Sequence, residues 1–212
     1  MPHDDDFTVE PIKGLPERPP SGEEILWQGK PRVYALAREA MSLHWVIGYF
    51  VFLAFWRVGV SSAGMPFSEA LVLGVPFVIL GAVAAAMILG LAWVLARTTV
   101  YTVTTSRVAL RVGAALTVTL NLPFKRIASA DLNLRRDGTG TIAFDTLGET
   151  RLSYLVLWPH VRPWHMKKTQ PALRAIPDAE RVARLIAATA ETRVSQPEIS
   201  LNPDAAAPVA AE

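Results

Sequence analysis

The densest chemistry in this chain lies in WPHVRPWHMKK, where Trp158, His160, Arg162, Trp164, His165, Lys167 and Lys168 follow one another around two backbone-restricting prolines. Exposed tryptophan and arginine side chains make good anchors for a protein partner. The competing reading is a loop whose tryptophans close a β-core. His160 and His165 are five apart and have no nearby carboxylate, so they do not make a metal site. His44 follows Ala40 by four residues, a spacing that resembles the Ala-xxx-His of magnesium-ligating histidines in light-harvesting polypeptides and makes it a weak candidate pigment contact. Its place at the start of an apolar segment, near the headgroups, favours an interfacial polar residue over the pigment contact.

Catalysis finds little support. There is no cysteine, which removes thiolate nucleophiles, thiolate metal sites and disulfide scaffolds together. Ser106, Ser129 and Ser153 lie in strand or turn contexts without a glycine elbow or a partnered base. Asp4, Asp5 and Asp6 form a solvated acidic run with no frame to make cation ligands converge. A net charge of +2 is too weak to argue for nucleic acid. The chemistry expected is recognition, with no catalytic residues, no cofactor and no metal.

What must position these residues is an unusually apolar chain, 51% hydrophobic over 212 residues. Residues 70–96 carry no charge and are long enough at ~1.5 Å per residue to cross a hydrocarbon core of about 30 Å. Pro76 within them is tolerated as a bend. A second apolar segment, 43–60, has Arg57 as its one formal charge, and Trp45, Tyr49, Trp56 and Trp93 supply interfacial aromatics. The short link containing Gly64 and Pro66 makes the two segments an antiparallel hairpin, 43–96. Lys30, Arg32 and Arg38 precede it and Arg97, Arg107 and Arg111 follow, so the positive-inside rule puts both termini in the cytoplasm. Gly74, Gly81 and Ala85 make one face of the second segment small; it packs on the first segment through Gly48, or on another copy as a homodimer.

Around the hairpin the sequence predicts an extended, proline-rich arm (1–24), an amphipathic lead-in lying at the membrane surface (25–42), a β-rich domain (97–192) and an Ala/Pro-rich, disordered tail (193–212). The acidic start reads as an arm, not a signal peptide. Period-two apolar positions mark strands at Val108–Val112, Val118–Leu122, Ala130–Leu134, Ile142–Phe144 and Leu152–Val156, with Asp137-Gly138 as a hairpin turn. Val182, Leu185 and Ile186 share one face of a closing helix that Asp178 caps. The fold class is α+β: a transmembrane hairpin followed by a small antiparallel barrel capped by a C-terminal helix. Lys125, Arg126, Arg135, Arg136, Lys167 and Lys168 are its candidate membrane-surface residues, through attraction to anionic lipid.

The order of GEEILWQGKP (22–31), the hairpin, VYTVTTSR (100–107), LPFKRI (122–127) and GTGTI (138–142) resembles bacterial PH-like membrane proteins. Within that group the stretches FTVEPIKGLPERPPSGEEILWQGKP, LAREAMSLHWVIGYF and YLVLWPHVRPWHMKKTQPALRAIPD resemble the PuhB family of photosynthetic reaction-centre assembly proteins. The resemblance implies a non-enzymatic assembly factor associated with the operon of the reaction-centre H subunit in purple bacteria. Reaction-centre polypeptides, the H subunit among them, and membrane lipid are the partners this implies. The alternative expectation is a lipid-sensing or envelope-maintenance PH-like protein. The partner anchor expected from the residues themselves is Trp158, His160, Arg162 and Trp164.

Overall fold

The computed structural model describes residues 14–15, 19–113, 117–148 and 152–195. The predicted tail falls outside these from residue 196 onward, as does most of the predicted arm. Within the arm, Leu15 is buried, and a Cβ on Gly14 (φ +94°) would stand 2.5 Å from Val100 Cγ1. That point of the arm is therefore seated against the β-domain.

The hairpin consists of two helices. The first is Leu43–Ser61 and the second Phe67–Thr98, each long and apolar enough to cross a membrane. They are called α2 and α3 here, after a shorter α1 at Val33–Ala40. At 1.5 Å per residue α2 measures about 28 Å and α3 about 48 Å, so α3 overshoots its neighbour by several turns. The close contact uses small residues: a Cβ on Gly81 would lie 2.7 Å from Phe50 Cβ, and one on Gly74 would lie 2.8 Å from Val58 Cγ2. The small-residue face thus packs within the chain, as one of the two readings held, but against Phe50, Ala54 and Val58. Gly48, the expected contact, faces open space.

The overshoot of α3 has a partner. Leu36 and Ala35 of α1 pack on Leu95 and Ala96, and Ala37 packs with Leu43 and Ala92. This departs from the expected lead-in over 25–42. Its second half buries its apolar face on α3 and on Ala175, and its first half is a strand, β1 (Ile25–Gly29). The amphipathic pattern was real, and the surface it covers is protein.

Thr99 alone separates α3 from β2 (Val100–Thr104), which continues through β3 (Arg107–Val112) and β4 (Val118–Pro123). These form an antiparallel sheet in the order β1-β2-β3-β4, so a strand preceding the hairpin completes the sheet that follows it. A single 3-10 turn, Phe124–Arg126, leads into the second antiparallel sheet, β5 (Ile127–Leu134), β6 (Gly140–Thr146) and β7 (Ala172–Ile176). The turn between β5 and β6 carries Gly138 at φ +75°, as the Asp-Gly pair predicts. Among the described residues the seven strands form two sheets around one core of Tyr101, Val108, Leu110, Ile142, Phe144, Leu173 and their neighbours, closed by Val182 and Ile186 of α5 (Ala179–Ser195). Asp178 stands at the start of α5 and its carbonyl accepts the Val182 N–H. The predicted strand at 152–156 is instead a single helical turn, α4 (Tyr154–Leu157), because Tyr154 and Leu157 turn to the same core cluster while Leu155 and Val156 face out.

Strand direction gives the β-domain two poles. Val100, Val112 and Val118 lie at the end where α3 stops; Thr104, Arg107 and Pro123 lie at the other. The domain thus has a hairpin-side pole and a far pole.

Candidate functional site

The tryptophan- and proline-rich segment is held to the hairpin-side pole by a buried polar network. Thr99 and Tyr101 alternate inward from the start of β2. His160, 1% exposed, reaches both: Tyr101 Oη lies 2.6 Å from Nδ1 and Thr99 Oγ1 lies 3.0 Å from Nε2. The Arg174 backbone N–H donates to the Tyr101 oxygen, which leaves the phenol proton for Nδ1. Nε2 then carries the ring proton and donates to Thr99. Burial pushes the His160 pKa down to about 3, with help from the nearby Arg174 charge. Burial also raises the Tyr101 phenol.

Arg174 joins this network to α1. Its guanidinium donates to the carbonyls of Pro159 (3.2 Å), Val161 (3.4 Å) and Glu39 (2.9 Å). Its pKa is lowered by burial, an effect opposed by the charge of Glu39. The Glu39 carboxylate, 3% exposed, takes an ion pair from Arg135 and a hydrogen bond from Thr141 Oγ1 at 3.1 Å. Arg38 beside it donates to Asp137 at 3.1 Å. Residues of α1, β2, the β5–β6 turn, β6, β7 and the Pro159–Val161 segment therefore meet at one pole. No run of sequence announces this cluster; its members are up to 135 positions apart.

The four expected anchors separate. His160 is a core residue and presents nothing to a partner, because both ring nitrogens are spent on the network. Trp158 is 40% exposed, Arg162 reaches across to Asp131 (2.6 Å) and Gln170 (3.1 Å), and Trp164 is 88% exposed. Trp164 also has φ +64°, a conformation that bulky side chains avoid and that is found at functional loops. Beside it opens a cleft of about 670 Å³ on the outer face of the second sheet, with Asp131, Asn133, Arg135, Thr141, Arg162 and Trp164 in its wall. An exposed aromatic beside a cleft of mixed charge suits a polypeptide with both apolar and charged side chains.

The six basic residues do not share one surface. Arg135 and Arg136 lie in the β5–β6 turn at the hairpin-side pole, where Arg135 is already paired with Glu39. Lys125 and Arg126 lie in the 3-10 turn at the far pole, where the Phe124 N–H bonds to the Ser106 carbonyl. Lys168 pairs with Asp145 toward the far end of β6, and Lys167 precedes it. A plane touching the hairpin-side pole meets Arg135 and Arg136 and misses Lys125 and Arg126 by the length of the domain. His44 sits at the start of α2 with its ring 3.4 Å from Tyr34 Oη. Between Ala40 and His44 the helix is broken by Ser42 at φ +54°, so the continuous turn that an Ala-xxx-His pigment ligand requires is missing. Among the described residues no cluster of three His, Asp or Glu side chains converges.

A helical hairpin joined without a linker to a two-sheet antiparallel module, itself closed by a C-terminal helix, defines a PH-like fold carried on paired apolar helices. Residues 50–190 match the Bacterial PH domain family, and the chain belongs to it. Over 212 residues, 98% of each chain, it is 44% identical to a protein of Rhodobacter capsulatus described as an uncharacterized 23.7 kDa protein in the puhA 5' region. No solved structure matches.

Proposed function

We propose that this chain is an assembly factor for the photosynthetic reaction centre. It would act as a membrane-anchored docking module that holds reaction-centre polypeptides, the H subunit among them, during their insertion and pairing. The reading rests on the full-length similarity to a protein described by its place beside puhA, together with the PuhB-like stretches of the sequence. In this reading α2 and α3 span the inner membrane, both termini are cytoplasmic and the β-domain faces the cytoplasm. Confinement to the membrane plane raises the effective concentration of the domain against other membrane polypeptides, so a modest interface suffices. Trp164 and Arg162, beside the cleft, are the anchor for the partner.

The test is affinity capture of the tagged full chain from photosynthetically growing cells. Reaction-centre H subunit should co-purify, and Trp164→Ala, at an 88% exposed position where folding is unaffected, should reduce its recovery by roughly tenfold if Trp164 is a hot spot. Equal recovery with the variant removes the anchor, and absence of reaction-centre polypeptides from the wild-type eluate removes the function.

A further inference from the structure

The single turn α4 and the residue after it expose three large apolar side chains together: Leu155 at 85%, Val156 at 56% and Trp158 at 40%. Of their inward-facing companions Leu157 is in the core and the half-buried Tyr154 packs against it, so the outward set is not a by-product of a loose loop. The segment is also fixed in height. Pro159 and Glu39 present their carbonyls to one guanidinium, that of Arg174, and Glu39 lies four residues before the first residue of α2. His160 is bonded to Thr99, the residue that follows α3. Two ties, one through Arg174 to the end of α1 and one to Thr99 at the end of α3, thus hold Trp158–His160 at the hairpin-side pole of the β-domain.

Trp93, 48% exposed with the Arg97 guanidinium 4.4 Å over its ring, is an interfacial side chain near the end of α3, and Trp45, 82% exposed on the shorter α2, lies further toward the bilayer. Thr99 lies ~9 Å along α3 beyond Trp93, and the headgroup layers add about 5 to 8 Å to each side of the hydrocarbon. With Trp93 at the edge of the hydrocarbon, the α4 segment is therefore within a side-chain length of the headgroups. Arg136, in the β5–β6 turn at the same pole, adds a cation where anionic lipid would attract one.

We infer that Leu155, Val156 and Trp158 form a third membrane contact, a lipid-facing foot of the β-domain that dips into the bilayer interface beside the two spans. This rests on the proposed anchoring of α2 and α3. Its consequence is orientation: two helices leave the domain free to rock, and a third contact fixes its tilt. Trp158 then serves lipid, and Trp164, on the chain leading away from this pole, is left for the protein partner.

The absence of cysteine makes the test direct. Single-cysteine variants Leu155→Cys, Ile79→Cys in the middle of α3 and Lys125→Cys at the far pole are labelled with an environment-sensitive fluorophore. The full chain is then reconstituted into vesicles of phosphatidylcholine and phosphatidylglycerol. Quenching by doxyl-labelled lipid is compared with quenching by aqueous iodide. Lipid-borne quenching at position 155 should exceed that at 125 by roughly threefold or more, as for a group buried several ångströms into the interface, and should be weaker than at 79. Strong lipid quenching at 79 with 155 and 125 alike overturns the foot and leaves the anchored hairpin standing. Weak lipid quenching at 79 overturns the anchored hairpin and the foot with it.

Discussion

The two poles of the β-domain solve the same problem with different amounts of structure. At the far pole Glu23 accepts a hydrogen bond from Thr104 Oγ1 at 2.6 Å and an ion pair from Arg107 Nε at 2.9 Å, tying the chain before β1 to the β2–β3 turn. At the hairpin-side pole Glu39 and Arg174 gather α1, the β5–β6 turn, β7 and the Pro159–Val161 backbone around His160 and Tyr101. Both sites bury a carboxylate with an arginine and a threonine. The far pole fastens one turn, whereas the hairpin-side pole fastens the domain to its helices. Buried charge contributes more to specifying geometry than to net stability, and here most of it is spent where the β-domain's orientation on the hairpin is decided.

The largest effect should come from Arg174→Met. The variant keeps the apolar stem and removes the donors to three carbonyls, while the Glu39 carboxylate keeps Arg135 and Arg38; leaving these carbonyls without their charged donor should cost about 3 to 5 kcal/mol. Thermal unfolding of the full chain in detergent should show it, with the protease-sensitive site at α1. A loss no larger than that of a far-pole variant would erase the contrast between the poles.

Acid should act through the same pole. Folded chains keep His160 neutral down to about pH 3, whereas an unfolded chain protonates it near 6.5. The unfolded state therefore binds the proton first and stability falls as the pH drops below about 6.5, by about 2 kcal/mol between pH 6.5 and 5 from this one group. Asp137, held below the ordinary carboxylate range chiefly by its hydrogen bonds from Thr139, titrates below that window. His160→Gln should be less stable at pH 7 and should lose this component of the slope. A variant with the slope of the wild type would place the proton uptake elsewhere.

How much of this was legible differs between the same regions. The hairpin, β3 to β6 and α5 follow from unbroken apolar runs and from period-two or helical spacing, because each is stabilised by its own local pattern. β7 was hidden: ALRAI is buried at every position, and Arg174 in its centre reads as solvent-facing until its three carbonyl partners are placed around it. α4 showed the alternation of a strand in Leu152, Tyr154 and Val156, and only the pull of Tyr154 and Leu157 on a shared core face turned it into a helix. β1 lay on the wrong side of the hairpin to be paired with β2 by proximity in sequence. Among the site residues, aromatic and basic character was visible but level was not. Lys125 and Arg135 look alike in sequence and lie at opposite poles because β5 runs the length of the domain between them. His160 looked like a partner contact because nothing local shows that Thr99 and Tyr101, about 60 positions earlier, take both of its nitrogens.

The smallest predicted effect belongs to the far pole and sharpens the comparison most. Glu23→Gln keeps the shape and one acceptor oxygen for Thr104 while removing the charge that Arg107 faces. Arg107 is about a quarter exposed, so water takes over much of its solvation and the loss should be about 1 kcal/mol. Thr104 Oγ1 still accepts from the Arg107 N–H at 3.0 Å and the Ser106 N–H at 3.2 Å, so the turn itself survives the substitution. In hydrogen exchange the change should therefore be confined to β1 and the β2–β3 turn, with the α1 amides protected as before. Loosening that spread to α1 would show the two poles acting as one network, and the division of labour between them would have to be abandoned.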